Sequence, residues 1–249
     1  MIGLRNYLRR PIFYDAGGTM EYLPNGFTLA LADGCFPLST DSMALAHFAR
    51  LPKYARVLDL GSGCGTLGLL LCAKDPCCTV IGVELDPAAH AAALDNIQRN
   101  GIGTRMESIC ADLRTIANRF PAGSFSCCIS NPPYFSGGPA SAAFPTARRE
   151  DSCTLADVIA GAAWTLKFGG DFFLVHKPER LAQIIALGAR HDLEAKRLML
   201  LRHRENGPIS LILLQLRKGA KPGLKIEEQA LFDVSGNPTP YYKEVYHLE

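Results

Sequence analysis

Two prolines end an apolar strand in the middle of the chain and are followed by two aromatic rings. The apolar run at 125–129 predicts a core strand, and it leads directly into SNPPYF at 130–135. Because proline lacks a backbone N–H and keeps the preceding residue extended, strand pairing must stop at Asn131. The prolines form a rigid platform, which either simply ends the strand or aims backbone carbonyls and the Asn131 side chain at a ligand.

A glycine-rich turn links another predicted strand to a helix. In the run LDLGSGCGTLG (58–68), Asp59 is followed by glycines at alternate positions, and Glu84 ends the next strand. Glycines let the backbone approach a ligand at such a turn, and an acid after the second strand can accept hydrogen bonds from two ribose hydroxyls. The pattern therefore indicates a cofactor that contains a ribose, although a GxGxxG match alone is a weak signal.

Two cofactors compete for this loop. A nicotinamide dinucleotide would place its pyrophosphate at the N-terminus of the following helix. Asp59, however, lies inside the first strand, where a carboxylate repels pyrophosphate and suits an ammonium group. S-adenosylmethionine has an ammonium group, a sulfonium and a ribose but no phosphate, so Asp59 favours it. A dehydrogenase stays open as an alternative that NAD binding would establish.

The loop resembles the first motif of the class I methyltransferases, an acid followed by spaced glycines. The matching positions are Asp59, Gly61, Gly63 and Gly65. The resemblance implies S-adenosylmethionine as cofactor, with Glu84 on its ribose. It also implies that Asp112, after the third strand, receives the adenine amino group and that Leu113 flanks the ring. Without the resemblance, Asp112 is better explained as a helix N-cap.

The run NPPY after the fourth strand resembles the motif of methyltransferases that act on the nitrogen of a planar amine or amide. The lone pair of such a nitrogen is delocalised, so orientation matters more than a strong base. The Asn131 side-chain oxygen and the Pro132 carbonyl would accept its two N–H groups, held in place by Pro132 and Pro133. Tyr134 would stack on the flipped base. These four residues are the predicted catalytic set.

Runs at 36–48, 147–181 and 218–232 resemble the bacterial tRNA1(Val) adenine N6-methyltransferase family. This resemblance implies methylation of an adenine beside the anticodon of a tRNA, by a monomer or weak homodimer. A cytoplasmic location is expected from the sequence itself, because no signal-peptide pattern opens the chain. It places Asp41 in a segment that closes over the methionine part of the cofactor, although Asp41 alone is better explained as a helix cap. The predicted substrate-binding residues are Phe135, Arg148, His176 and Lys177.

Three other functions remain open. Enzymes that methylate N5 of protein glutamine share NPPY, but they usually carry a helical domain before the first strand, and about 55 residues leave little room for one. Methylation of guanine N2 in rRNA also fits the motif. An RNA-binding protein without activity is a third possibility, against which the intact Asp59, Glu84 and Asn131 argue.

These residues need a scaffold that brings several strand ends together. From residue 56 onward strands and helices alternate, with strands predicted at 56–60, 79–84, 105–110, 125–130, 171–176, 194–203 and 209–218. Helices are predicted from about Ser42 and at 66–73, 87–100, 154–168 and 178–190. This alternation predicts an α/β fold with a doubly wound, mostly parallel seven-stranded sheet and a C-terminal antiparallel hairpin at its end, the Rossmann-like fold of class I methyltransferases. We expect residues 1–55 to pack over the cofactor site of a methyltransferase domain at 56–249, as one globular unit.

Composition is consistent with such an enzyme. The chain has 249 residues, 48% of them hydrophobic and 20% charged, and no apolar run reaches the roughly 18 residues of a membrane span, so we expect no membrane association. Nine cysteines without a CxxC pair predict reduced thiols and no metal site. Residues 176–225 contain 11 Lys and Arg against 4 Asp and Glu, which favours a polyanionic partner such as RNA.

Overall fold

The computed structural model describes residues 13–15, 18–23, 26–31, 37–132 and 153–247 of the chain. These residues form two sheets. The smaller sheet is antiparallel, in the order β1-β2-β3, with strands Phe13–Asp15 (β1), Gly18–Tyr22 (β2) and Thr28–Ala30 (β3).

The larger sheet carries the α/β core. Its strands are Arg56–Leu60 (β4), Thr79–Glu84 (β5), Met106–Cys110 (β6), Phe125–Ser130 (β7), Leu166–His176 (β8), Leu193–Arg204 (β9), Ile209–Lys218 (β10) and Lys225–Phe232 (β11). Their spatial order is β11-β9-β10-β8-β7-β4-β5-β6. β10 is antiparallel to β8 and to β9, and the other pairs are parallel. The mostly parallel sheet and the antiparallel hairpin β9–β10 confirm the prediction.

Helices cover both faces of this sheet. In the described ranges they are Thr40–Phe48 (α1), Thr66–Lys74 (α2), Pro87–Arg99 (α3), Leu155–Thr165 (α4), Leu181–Ala189 (α5) and Pro240–Tyr246 (α6). One buried cluster joins side chains of α1, α2 and α6, and a second joins those of α4 and α5. Along β8, Phe172 and Phe173 fall into different clusters because successive side chains of a strand point to opposite faces. The doubly wound architecture is therefore confirmed.

The boundary between α4 and β8 differs from the predicted one. The sequence predicts a helix to Phe168, closed by Gly169 and Gly170, but α4 ends at Thr165 and β8 already begins at Leu166. Leu166 is fully buried and pairs with Phe125 of β7. Gly170 is needed for close strand approach, since a Cβ there would lie 2.9 Å from the Ser126 carbonyl. The glycines thus belong to the strand and do not stop the helix.

The sheet has one strand more than predicted. β11 pairs in parallel with β9, so the hairpin β9–β10 does not form the edge of the sheet. The sequence of β11, KIEEQALF, has four charged or amide residues in its first five positions, which concealed it as a strand. Charged side chains are typical of an edge strand, where they discourage pairing with other chains. A smaller difference concerns the helix predicted at 178–190. Its first three residues, Pro178–Arg180, form a 3₁₀ turn, and α5 begins at Leu181.

One side chain connects the small sheet to the core. Asn96 of α3 is fully buried; its Oδ1 accepts the Ala30 N–H at 2.7 Å, and its Nδ2 donates to the carbonyls of Ala30 and Cys64 at 2.8 and 3.0 Å. Asn100 makes a similar pair of hydrogen bonds to the backbone of Thr28. β3 is therefore fixed to α3 and, through Asn96, to the loop that precedes α2.

Candidate active site

The described site residues gather at one edge of the large sheet. β4, β5, β7 and β8 run parallel, so their carboxyl ends share an edge, where ligands of doubly wound sheets bind. Glu84 ends β5 and His176 ends β8, while Asn131 directly follows β7 and Asp59 is the penultimate residue of β4. The fold thus brings these four predicted residues to the same edge.

The glycine loop between β4 and α2 is held against β5 by its own backbone. The N–H groups of Gly61 and Ser62 both donate to the Val83 carbonyl, at 2.9 and 3.1 Å. Gly63 has a φ of 55°, in the left-handed region that favours glycine, and a Cβ added there would meet nothing within 4 Å. Gly65, with a φ of 83°, would instead bring a Cβ to 2.9 Å from the Met106 Cε. The backbone at Gly63 therefore borders open space that can receive a ligand, whereas Gly65 is packed against the protein.

Glu84 ties this loop to the end of β5. Its Oε2 accepts the Gly63 N–H and its Oε1 accepts the Asp86 N–H, both at 2.8 Å. An ionised carboxylate has about four lone-pair sites, so each oxygen retains capacity for another donor. Two ribose hydroxyls would use that capacity, and ribose binding by Glu84 stays a prediction.

Asp59 is the least solvated charged group of the site. It is 0% exposed, and within the described ranges neither of its carboxylate oxygens has a hydrogen-bond partner. Burial raises the pKa of this carboxyl to about 7. The backbone N–H of Gly68, which is nearby but falls short of full hydrogen-bond geometry, acts against the increase, and the charge of Glu84 adds to it. A buried carboxylate is costly unless a cation neutralises it. The position therefore suits the ammonium group of S-adenosylmethionine and opposes a pyrophosphate.

Asp112 and Leu113 lie just after β6, and the carboxylate of Asp112 is already used in local hydrogen bonds. Its carboxylate accepts hydrogen bonds from the backbone N–H and from the guanidinium of Arg114, at 2.9 and 3.0 Å. These hydrogen bonds hold the pKa of Asp112 below its ordinary value. Asp112 is thus the N-cap of the 3₁₀ helix Leu113–Asn118, in which Leu113 is buried. Contact of either residue with the adenine ring stays a prediction.

Asn131 is fixed from two directions. The preceding Ser130 is fully buried, and its hydroxyl donates to the Leu60 carbonyl of β4 at 2.7 Å. The Asn131 Nδ2 donates to the Ser42 hydroxyl of α1 at 3.1 Å. Pro132, the next residue, is buried. The remaining predicted residues of this region lie outside the described ranges; they are Pro133, Tyr134, Phe135 and Arg148.

The hydrogen bond between Asn131 and Ser42 brings α1 to the site. Ser42 was not predicted from the sequence as a site residue. The predicted cofactor residue Asp41 lies beside Ser42 in the first turn of α1. The explanation of Asp41 as a helix cap is wrong, because the N-cap is Ser39. Asp41 is therefore close in sequence to an active-site contact, and its role toward the cofactor stays a prediction. The only signal for Ser42 in the sequence was its place in the polar run STDS before an apolar helix.

His176 is the last residue of β8, and Lys177 follows it as the N-cap of the 3₁₀ turn Pro178–Arg180. His176 is 1% exposed, and its Nδ1 accepts the Lys177 N–H at 2.8 Å. Burial lowers the pKa of His176 to about 4, and the charge of nearby Arg180 acts in the same direction. A neutral, buried imidazole offers no positive charge to an RNA phosphate, so Lys177 is the better suited of the two to that contact. Binding of the substrate by either residue stays a prediction.

The basic residues of 176–225 spread along the strands from one end of the sheet to the other. Strand directions place four at the site edge: Lys177, Arg180, Arg202 and Arg204. They place four at the opposite edge, which are Arg190, Arg217, Lys218 and Lys221, whereas Lys196, Arg197 and Lys225 lie at mid-strand. Some of those at the opposite edge support the fold, as Arg217 does by pairing with Asp171 at 2.8 Å. The excess of positive charge therefore does not form one track toward the site.

No group of three or more His, Cys, Asp or Glu among the described residues is arranged to hold a metal ion. Their eight cysteines are free thiols, five of them buried. No helix in this part of the chain combines the length and apolar character that a membrane crossing requires.

Comparisons with known proteins add independent findings. A family model for the methyltransferase small domain matches residues 40–188. A tRNA1(Val) (adenine(37)-N6)-methyltransferase from Photobacterium profundum is 29% identical over 189 residues, which are 74% of this chain and 78% of that protein. The enzyme of the same name from Pectobacterium carotovorum is 31% identical over 219 residues, covering 84% of this chain and 87% of that protein.

A solved structure shares the fold. The crystal structure of a predicted O-methyltransferase from Agrobacterium tumefaciens superposes with a TM-score of 0.71 over 84% of this chain and 96% of that one. Sequence identity between the two is 21%, so this likeness concerns the fold alone.

Proposed function

We propose that this chain methylates N6 of an adenine in tRNA, beside the anticodon. The premise is that the chain belongs to the methyltransferase small domain family and is a class I S-adenosylmethionine-dependent methyltransferase. The observation that carries the proposal is the position of Asn131 and Pro132 at the end of β7, on the same edge as Asp59 and Glu84. The names of the two tRNA-modifying relatives support the choice of substrate.

The chain's own residues would hold the cofactor at three points. Asp59 would neutralise the ammonium group, Glu84 would accept the ribose hydroxyls, and Asp112 with Leu113 would receive the adenine. The cofactor supplies an electrophilic methyl group on a positively charged sulfur. The Gly63 backbone, open on its ligand side, would let the cofactor approach the end of β4.

Asn131 would orient the accepting nitrogen. Its side-chain oxygen and the Pro132 carbonyl are acceptors, and together they would bind the two N–H groups of an adenine N6. Binding both N–H groups directs the nitrogen lone pair toward the methyl group and raises its electron density. Tyr134 would stack on the base, and Lys177 would contact the RNA backbone.

We further propose that residues 1–55 cover the cofactor site of the 56–249 domain. The hydrogen bond from Asn131 to Ser42 and the Asn96 contacts that join Ala30 to Cys64 support this arrangement. A tRNA substrate would place the enzyme in the cytoplasm, and one chain contains all the proposed site residues, as a monomer or weak homodimer requires.

The proposal is tested by incubating the protein with labelled S-adenosylmethionine and bulk tRNA that lacks modifications. Nucleosides from the labelled RNA are then identified by mass spectrometry. We expect N6-methyladenosine. N2-methylguanosine would overturn the proposal in favour of guanine methylation, and label in glutamine side chains of added protein would favour N5 methylation.

Asn131→Ala tests the assigned chemistry. Transfer should fall by at least about 100-fold, as when one preorganised hydrogen-bonding group is removed from an active site. The dissociation constant for S-adenosylmethionine, measured by calorimetry, should stay within about twofold because Asn131 is assigned to the amine. Asn118→Ala, an exposed site on the 3₁₀ helix, is the matched control. Equal loss of cofactor binding and transfer would mean that Asn131 is structural.

A further inference from the structure

Ser42 lies between the helix α1 and the residue proposed to orient the substrate. It is 7% exposed, and its hydroxyl accepts the Asn131 Nδ2–H at 3.1 Å. The Ser39 hydroxyl donates to the Ser42 Oγ at 3.4 Å, and the Ser42 N–H donates back to the Ser39 Oγ at 3.3 Å. Ser42 is therefore a buried acceptor whose own position is set by the cap of the helix.

The helix that carries Ser42 is held at both ends. At its start, Thr40 Oγ1 and the Tyr246 hydroxyl of α6 share a hydrogen bond of 2.8 Å. At its end, Lys74 Nζ donates to three carbonyls at 2.8 to 2.9 Å, those of Ala46, His47 and Ala49. Because α1 is anchored on α2 and α6, the Ser42 hydroxyl is a fixed reference point for the Asn131 side chain.

Asn131 needs such a reference point because its amide has two unlike ends. The oxygen accepts hydrogen bonds and the nitrogen donates them, and both ends have a similar size. An amine substrate presents N–H groups, so only the orientation with the oxygen toward the substrate binds it. The reversed amide would set donors against donors and leave the substrate N–H groups unpaired.

We propose that Ser42 is a positioning residue: by accepting the Asn131 Nδ2–H, it directs the Asn131 amide oxygen toward the amine that receives the methyl group. This inference rests on the proposed function and extends it to a residue outside the NPPY run. Ser42 acts only through Asn131 and contributes nothing to cofactor binding.

The first test is Ser42→Ala. The rate constant of methyl transfer in a single turnover, at saturating cofactor and tRNA, should fall about 3- to 10-fold, the range expected from one neutral hydrogen bond. The cofactor dissociation constant should not change. Ser108→Ala is the matched control, since Ser108 is also 7% exposed and makes one side-chain hydrogen bond, to His90. An unchanged rate in Ser42→Ala would overturn the inference.

The second test separates orientation from structure. In an Asn131→Asp background the two ends of the side chain are equivalent acceptors, so no partner is needed to orient it. There, Ser42→Ala should change the rate less than about twofold, since the coupling between the two positions is then absent. The same loss in both backgrounds would overturn the role. If Asn131→Asp transfers no methyl group, Ser42→Thr decides: it keeps the hydroxyl and must recover most of the lost rate, and failure to do so overturns the inference.

The two proposals fail in different ways. A wild-type protein that makes no N6-methyladenosine would overturn the proposed function. A wild-type protein that makes it, with an equally fast Ser42→Ala variant, would overturn the role of Ser42 alone.

Discussion

The buried carboxylate of Asp59 should make cofactor binding depend on pH. Its pKa of about 7 in the free protein means that about half of the molecules carry a proton there at neutral pH. An ammonium group beside it would favour the ionised form, so binding at lower pH must release that proton. The dissociation constant for S-adenosylmethionine should therefore increase about 8-fold as the pH falls from about 7.5 to about 6.0, as expected for a single carboxyl with this pKa. Above that range the amino group of the cofactor itself loses its charge.

The same carboxylate should lower the stability of the free protein as pH rises. Its folded-state pKa lies above the ordinary 3.8, so folding favours the protonated form. The stability this contributes is present below about pH 4 and is lost as pH rises toward about 7. The total shift of about 3 units corresponds to about 4 kcal/mol. Asparagine does not titrate, so the Asp59→Asn variant does not lose this stability as the pH rises. The difference in the free energy of unfolding, variant minus wild type, should therefore increase by about 2–3 kcal/mol from about pH 5 to about pH 8.

Two measurements check this prediction. Urea unfolding of the free protein at both pH values gives the stability difference, with the surface variant Asp95→Asn as control. Calorimetry in buffers of different ionisation enthalpy gives the protons released on cofactor binding, about one per cofactor near pH 6. A stability difference independent of pH would refute the raised pKa. A cofactor affinity independent of pH, without proton release, would refute the placement of the ammonium group beside Asp59.

Further predictions concern the loop, the helix α1 and the RNA. Gly82→Ala would place a Cβ 2.7 Å from the Ser62 Oγ in the glycine loop. We expect the cofactor affinity, measured by calorimetry, to fall about 10-fold, and the free energy of unfolding, measured in urea, to fall by about 1–3 kcal/mol. Adding Ser62→Gly should restore both, and a persistent loss would exclude this clash as the cause. Lys74→Met removes the donor to the last carbonyls of α1 and should lower the free energy of unfolding by about 1–2 kcal/mol in the same assay, whereas unchanged stability would show that water replaces it. Lys177→Gln, at the site edge, should weaken tRNA binding and reduce the magnitude of the slope of log K against log salt by about one in a filter-binding series. Lys221→Gln, an exposed position at the opposite edge, should leave both the affinity and the slope unchanged. Equal effects of the two Lys→Gln substitutions on tRNA binding would mean that the position of the lysine does not matter and only net charge does.

Much of the α/β core followed from local patterns. The bounds of β4, β5, β7 and β10 agree with the predicted runs because their apolar residues are continuous and are bounded by glycine, proline or polar turns. The site edge followed as well, since parallel strands must end together and the predicted residues were placed at strand ends.

The remainder depends on contacts between distant parts of the chain. β11 was missed because its charged residues suit a solvent-exposed edge, which leaves no apolar alternation to detect. The hydrogen bond between Ser42 and Asn131 joins residues 89 apart, and neither a helical serine nor an asparagine before proline predicts the other. The pKa of Asp59 likewise depends on burial that only the assembled sheet creates.

Asn96 makes the order of the glycine loop inseparable from that of the small sheet. Its single buried amide is hydrogen-bonded to both Ala30 and Cys64, so opening either segment removes a contact that positions the amide for the other. Segments linked in this way exchange their amide hydrogens as one cooperative unit. Binding of a cofactor at the loop would then slow amide exchange at β3, so this strand of the small sheet would report the occupancy of the cofactor site.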